Sequence, residues 1–158
     1  MSINEDVIKL VAEGNNNVES KKFEKSLEVF DGALQLDPLN EGAFSGKIRA
    51  LRELHRYSDA EKVVHEALSR LPNNVNILDE LGSLCLDKHQ FDKTIKIADQ
   101  ILEIDPLNEG AFKGKIIALG ELRRYSDAEK VIHDALEKLP KNVEILYQWS
   151  YLYYNQKQ

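Results

Sequence analysis

The stretch "DPLNEGAF" at residues 37–44 returns letter for letter at residues 105–112, and a run of that length does not recur by accident in 158 residues. The likeness extends outward from it: residues 37–78 and 105–146 are identical at 32 of 42 positions, at an offset of 68. The prolines divide that offset in two. Pro38, Pro72, Pro106 and Pro140 are the four prolines of the chain, and each stands 34 residues after the last. An aromatic keeps the same beat at Phe23, Tyr57, Phe91 and Tyr125, and a small or hydroxylic residue at Ser26, Ala60, Thr94 and Ala128. A fourth column reads Ala33, Ala67, Ile101, Ala135. Four columns in one register define a repeated supersecondary unit of 34 residues.

Within a period the pattern is helical. In "SDAEKVVHEALSRL" (58–71) the apolar residues Ala60, Val63, Val64, Ala67, Leu68 and Leu71 recur at three- and four-residue steps, one face of a helix. Ser58 with Glu61, and Ser126 with Glu129, have the spacing of a capping box and predict an N-terminus at each serine. Pro72 follows the last turn, where a missing N–H is harmless, and the neighbouring asparagines suit a turn. The other half, "EGAFSGKIRALREL" (41–54), is a second helix with Ala43, Phe44, Lys47, Ile48 and Leu51 on one side. Each unit is therefore an αα-hairpin, and the whole chain all-α.

The composition excludes several classes of function. A net charge of −6 is unsuited to holding a phosphate backbone, so nucleic-acid binding is not expected. Cys85 is the single cysteine, which rules out an intramolecular disulfide and a cysteine-built zinc site. It falls on the packing side of its helix and reads as an inert buried thiol. No apolar run approaches the about 20 residues that cross a bilayer, and "MSINEDVIKL" carries no signal-peptide pattern, so no membrane association and a cytoplasmic setting are expected. His55, His65, His89 and His133 form no metal-ligand or catalytic spacing, and "EGAFSGK" lacks the spacing of a phosphate-binding loop. The sequence predicts no catalytic residues, no metal and no cofactor.

The columns and the closing "LDP", "RLP" and "EKLP" resemble the tetratricopeptide repeat. The resemblance spans four consecutive units at about 7–40, 41–74, 75–108 and 109–142 of a single array over residues 1–158. Residues 143–156, "VEILYQWSYLYYNQ", align with a fifth first helix and form a capping helix, with Leu146, Trp149 and Tyr153 in packing columns that are expected to bury. The small first-helix position of the family is Gly14 and Gly82 in the odd units but Ile48 and Ile116 in the even ones. That departure is expected to open the helix pair slightly in those units.

The resemblance implies a right-handed superhelical α-solenoid of stacked antiparallel helix pairs. Its concave face, lined by the first helices, binds a protein or peptide partner. The chain is then a non-catalytic interaction module. The family's groove-facing columns fall here on Asn15; on Gly46, Arg49 and Arg52; on Asp79, Glu80 and Ser83; on Lys113, Gly114 and Ile117; and on Tyr147, Tyr151 and Tyr154. The charges are zoned: arginines in the second unit, acids in the third, a lysine in the fourth and tyrosines at the end. Such a face fits a mixed-charge ligand with an aromatic or apolar anchor. Gly46 and Gly114 read as a shallow floor, with tight contact to a neighbouring helix as the alternative.

Co-chaperone members of the family clamp chaperone-tail carboxylates with Lys and Asn, then Asn, then Lys and Arg. The corresponding positions are Val11, Asn15, Gly46, Asn76 and Glu80; only Asn15 keeps its type, and Glu80 has the wrong sign. A clamp starting one unit later, at Ser45, Arg49, Glu80, Gly110 and Gly114, fails as badly. Heat-shock chaperone tails are therefore disfavoured as partners. The alternative to a groove binder is a structural module that self-associates through its tyrosine-rich C-terminal helix, giving a homo-oligomer.

Overall fold

The computed structural model describes residues 3–156, so the outer ends of the array at residues 1, 2, 157 and 158 lie outside the described residues. Among the described residues there are nine α-helices and no strand: α1 (Ile3–Glu19), α2 (Phe23–Leu36), α3 (Glu41–Glu53), α4 (Tyr57–Arg70), α5 (Val75–Asp87), α6 (Phe91–Ile104), α7 (Glu109–Glu121), α8 (Tyr125–Lys138) and α9 (Val143–Gln156). None of these helices is long and apolar enough to cross a membrane.

Local chemistry with the period of the repeat starts and stops these helices. Asn40, Asn74, Asn108 and Asn142 each accept, through Oδ1, the N–H three residues on: Ala43 at 3.0 Å, Ile77 at 3.1 Å, Ala111 at 2.8 Å and Ile145 at 3.0 Å. Each such cap satisfies one of the orphan donors at the start of a first helix. The first helices end in a second recurring device. Lys21, His55, His89 and Arg123 adopt φ of 57°, 55°, 55° and 56°. The next residue then donates back along the chain, as Arg56 N–H does to the Leu51 carbonyl at 2.8 Å and Arg124 N–H to that of Leu119 at 2.9 Å. This is the Schellman closure, built here without glycine.

That closure moves the predicted starts of the second helices. Arg56 and Arg124 are the cap residues of α4 and α8, and neither offers a side-chain cap. The Arg56 carbonyl accepts from Asp59 and Ala60, so Tyr57 is already helical and Ser58 and Ser126 sit one residue inside, where they cannot act as caps. Asp59 and Asp127 take the first turn instead, held by Arg56 and Arg124 at 3.0 Å and 2.8 Å.

The chain divides into two compact units, Met1–Glu80 and Leu81–Gln158. In the first, α1 packs on α2 and α3, α2 on α3, and α3 on α4. Its core includes Phe30, Ala33 and Ala43, with Leu10, Val11, Val18 and Leu34 against them. In the second, α7 packs on α6, α8 and α9, and α8 also on α9, around Phe112, Ile116, Leu119, Ala128, Ile132, Ala135, Ile145 and Leu152. Every member of the small-residue columns, from Ser26, Ala60, Thr94 and Ala128 to Ala33, Ala67, Ile101 and Ala135, is buried. Small side chains there let helices approach closely, and burying the flanking apolar side chains stabilises each unit by about 1.5–3 kcal/mol apiece.

Two expectations need correction. Gly46 is not an open floor: a β-carbon there would lie 2.2 Å from the Phe30 ring, so the glycine makes room for packing. Gly114 differs, because its β-carbon would meet only the Thr94 Cγ2 at 3.8 Å. The second correction concerns α9. Trp149 packs partly against the second core, but Leu146 and Tyr153 are 42% and 53% exposed. Their equivalents one period earlier, Phe112 and Leu119, are 0% and 2% exposed. Phe112 and Leu119 belong to the core that α7 shares with Ala128, Ile132 and Ala135 of α8.

Candidate functional site

The first-helix face of each unit carries a cavity. In the first unit it is about 240 Å³ and is lined by Asn15, Gly42, Ser45, Gly46, Arg49, Asn76, Asp79 and Glu80. Five of the residues singled out from the sequence, Asn15, Gly46, Arg49, Asp79 and Glu80, are thus brought together. They come from three successive first helices, α1, α3 and α5. The Arg49 Nη2 donates to the Asn15 Oδ1 at 3.1 Å, joining residues one period apart. Ser45 Oγ is buried with no hydrogen-bond partner.

Arg52 does not belong to the open part of this surface. Its Nη1 donates to the Glu80 Oε2 at 2.9 Å, and the two side chains are only 18% and 17% exposed. Burial pushes the Glu80 carboxyl above its ordinary range, against the pull of Arg52 and the weaker pull of Arg49. Desolvation thus outweighs attraction in this pair. The zoned charges of the sequence are in part self-neutralised: Lys113, of the fourth repeat, likewise meets Glu144 at 2.6 Å, and that hydrogen bond holds the Glu144 carboxyl below its ordinary range. Both charges of that pair are roughly half exposed, so it contributes little stability.

In the second unit the cavity is larger, about 450 Å³, and Ile116, Ile117, Gly120, Glu121, Arg123, Tyr125, Gln148, Tyr151 and Leu152 line it. Ile117 and Tyr151 are the sequence-selected residues it gathers; Lys113, Gly114, Ser83, Tyr147 and Tyr154 lie outside it. Tyr147, Tyr151 and Tyr154 are 63%, 51% and 63% exposed, presenting a run of hydroxyl-bearing rings along α9. A further hollow between α8 and α9, about 470 Å³, is lined by Glu129, His133, Leu146, Trp149, Ser150 and Tyr153. There the His133 and Trp149 rings meet edge to face at 5.3 Å. Among the described residues no three His, Cys, Asp or Glu side chains gather as a metal site. Cys85 is a buried thiol.

Gly120 and Gln148 were not singled out by sequence reasoning. The signal was present for both: at the offset of 68, Arg52 becomes Gly120 and Glu80 becomes Gln148.

Solved structures with the same arrangement of helices decide the fold. One, a thermophilic TPR protein of Thermus thermophilus, superposes with a TM-score of 0.81 over 95% of this chain and 82% of its own, at 15% identity. The fold is that of the tetratricopeptide repeat (TPR). A second TPR structure, YrrB, described as having an unusual peptide-binding site, matches with a TM-score of 0.66 over 98% of this chain and 79% of its own, at 19% identity. No family model matches the chain. Among curated proteins, the Hsp70-Hsp90 organizing protein of Triticum aestivum is 29% identical over 65% of this chain and 18% of its own length. The small glutamine-rich tetratricopeptide repeat-containing protein 2 of Mycosarcoma maydis is 25% identical over 75% of this chain and 34% of its own. The chain thus spans between about a fifth and a third of the length of these relatives.

Proposed function

We propose that this TPR chain is a non-catalytic protein-interaction module that binds a peptide or partner helix across the face formed by its first helices. The observation that carries the reading is the pair of first-helix cavities, one in each unit, lined by side chains of mixed chemistry. Exposed tyrosines beside the larger cavity add anchors that bury much area with few rotors. The peptide-binding site named for YrrB and the partner chaperones named for the wheat relative support the same class of role. Chaperone tails themselves stay disfavoured: Gly46 is occupied with Phe30, and Glu80 would set a carboxylate against a carboxylate. A random peptide library selected against the folded protein tests the reading. Bound peptides are expected to shift backbone amides of Asn15, Arg49, Ile117 and Tyr151. Shifts confined to the second helices would overturn it.

A second reading, self-association through α9, is favoured by one observation. The hollow lined by Leu146, Trp149 and Tyr153 exposes Leu146 and Tyr153, whose equivalents in α7, Phe112 and Leu119, are buried. A concentration series by light scattering is expected to show a dimer that Leu146→Glu/Tyr153→Glu abolishes. A monomer at every concentration would remove this reading.

A further inference from the structure

The two units carry the same sequence position in two states. In the first, the Arg52 side chain reaches Glu80 and the pair is largely buried. In the second, the equivalent positions hold Gly120 and Gln148, and a cavity of about 450 Å³ lies against them. The arginine is missing, and so is the carboxylate it would neutralise. Gln148 is 8% exposed. Its carboxamide carries a donor and an acceptor where Glu80 carries a carboxylate.

The geometry points to the Gly120 cavity as a receptor for an arginine side chain of a bound peptide, supplied from outside where Arg52 supplies it from within. This rests on the peptide-binding reading above. The buried Ile116 and Leu152 provide an apolar channel for the arginine stem. Tyr125 and Tyr151 line the cavity, and a guanidinium stacks on aromatic rings of this kind. The Gln148 oxygen and the Glu121 carboxylate accept from its planar donors. Arg123 also lines the cavity, so the wall charges of Glu121 and Arg123 balance. A guanidinium, which stacks and donates in a plane, suits such a neutral wall better than a strongly hydrated ammonium.

The test uses N-acetyl-arginine-N-methylamide and its lysine counterpart, titrated into the isotope-labelled intact chain by NMR. The arginine compound is expected to shift the amides of Gly120, Gln148 and Tyr151 and to bind at least about fivefold more tightly than the lysine compound. Gly120→Arg, which rebuilds the Arg52 arrangement, is expected to weaken binding by about tenfold or more. For it the Leu152 Cδ1, 3.1 Å from the position of the new β-carbon, must give by a few tenths of an ångström. Tyr151→Ala, at an exposed position, keeps the test decisive if Gly120→Arg disturbs the fold; it is expected to remove the preference for arginine over lysine. Equal affinities for the two compounds, or unchanged binding in Tyr151→Ala, would overturn the inference. Library peptides that bind the first-helix face without dependence on arginine would overturn it alone and leave the peptide-binding reading standing. Arginine binding with no library peptide captured would overturn the peptide-binding reading and reduce the cavity to a site for the free amino-acid side chain.

Discussion

The Phe30 ring fills the space that side chains on Gly46 and Gly14 would take: a β-carbon on either glycine would lie 2.2 Å or 2.4 Å from a ring atom. One phenylalanine of α2 is thus seated between two glycines of the first helices α1 and α3. Gly46→Ala is expected to lower stability by about 1–3 kcal/mol through overpacking. Gly114→Ala, with ordinary contact only, is expected to raise it by up to about 1 kcal/mol, since alanine is the better helix former. Chemical denaturation of the two variants checks the opposite signs.

Asn17 interrupts a buried column. Its equivalents are Leu51, Cys85, Leu119 and Tyr153, and the two leucines are each 2% exposed. Asn17 is 7% exposed and its Nδ2 has no hydrogen-bond partner. An unmatched buried donor costs about 1–3 kcal/mol, so Asn17→Leu is expected to stabilise the protein by an amount in that range, read from the unfolding midpoint.

The asparagine caps give a prediction that repeats along the chain. Asn40→Ala and Asn108→Ala each remove an acceptor from the start of a first helix and are expected to cost about 0.5–2 kcal/mol. Because the sites are far apart in sequence and share no partner, the double variant is expected to show the sum. Equilibrium denaturation of the single and double variants measures it.

Glu80 titrates in the opposite sense to the carboxylates paired at the surface. Its folded-state affinity for a proton is raised by burial above the ordinary value of 4.5. Its protonation therefore favours the folded state, a contribution full below that value and lost as pH rises through the folded one. Asp59, Asp127 and Glu144 are lowered by hydrogen bonds from Lys62, Arg124 and Lys113 respectively, so their contribution is present above the ordinary values and lost as pH falls. Glu80→Gln removes only the first effect. The wild type is expected to gain stability relative to Glu80→Gln as pH falls toward and below 4.5. Parallel melting curves of the two proteins, from about pH 3 to neutrality, check the sign.

The helices and their order were legible because proline, aromatic and small-residue columns are dictated by packing that each unit repeats. The starts of α4 and α8 were not, since Ser58 and Ser126 fit a local capping pattern that the longer-range closure from Arg56 to Leu51 overrides. The candidate site was legible as a set of faces but not as a set of partners. Arg52 and Glu80 stand 28 residues apart, and only the fold shows that they meet each other. Likewise Gly46 and Gly114 look alike in sequence, and the difference comes from Phe30, whose equivalent at the offset of 68 is Ala98.

The duplicated helix pairs have a consequence for the chain before it folds. Apart from the buried Gly46, the buried set of α3, Ala43, Phe44, Ile48, Ala50 and Leu51, matches that of α7, Ala111, Phe112, Ile116, Ala118 and Leu119. To an unfolded molecule α8 is therefore nearly as good a partner for α3 as α4 is. What separates the pairings is loop closure: three residues lie between α3 and α4, against 71 between α3 and α8 (residues 54–124). That difference favours the local pairing by about 2–3 kcal/mol. Between two molecules the advantage shrinks with concentration, so refolding in concentrated solution exposes this protein to exchange of helices between copies.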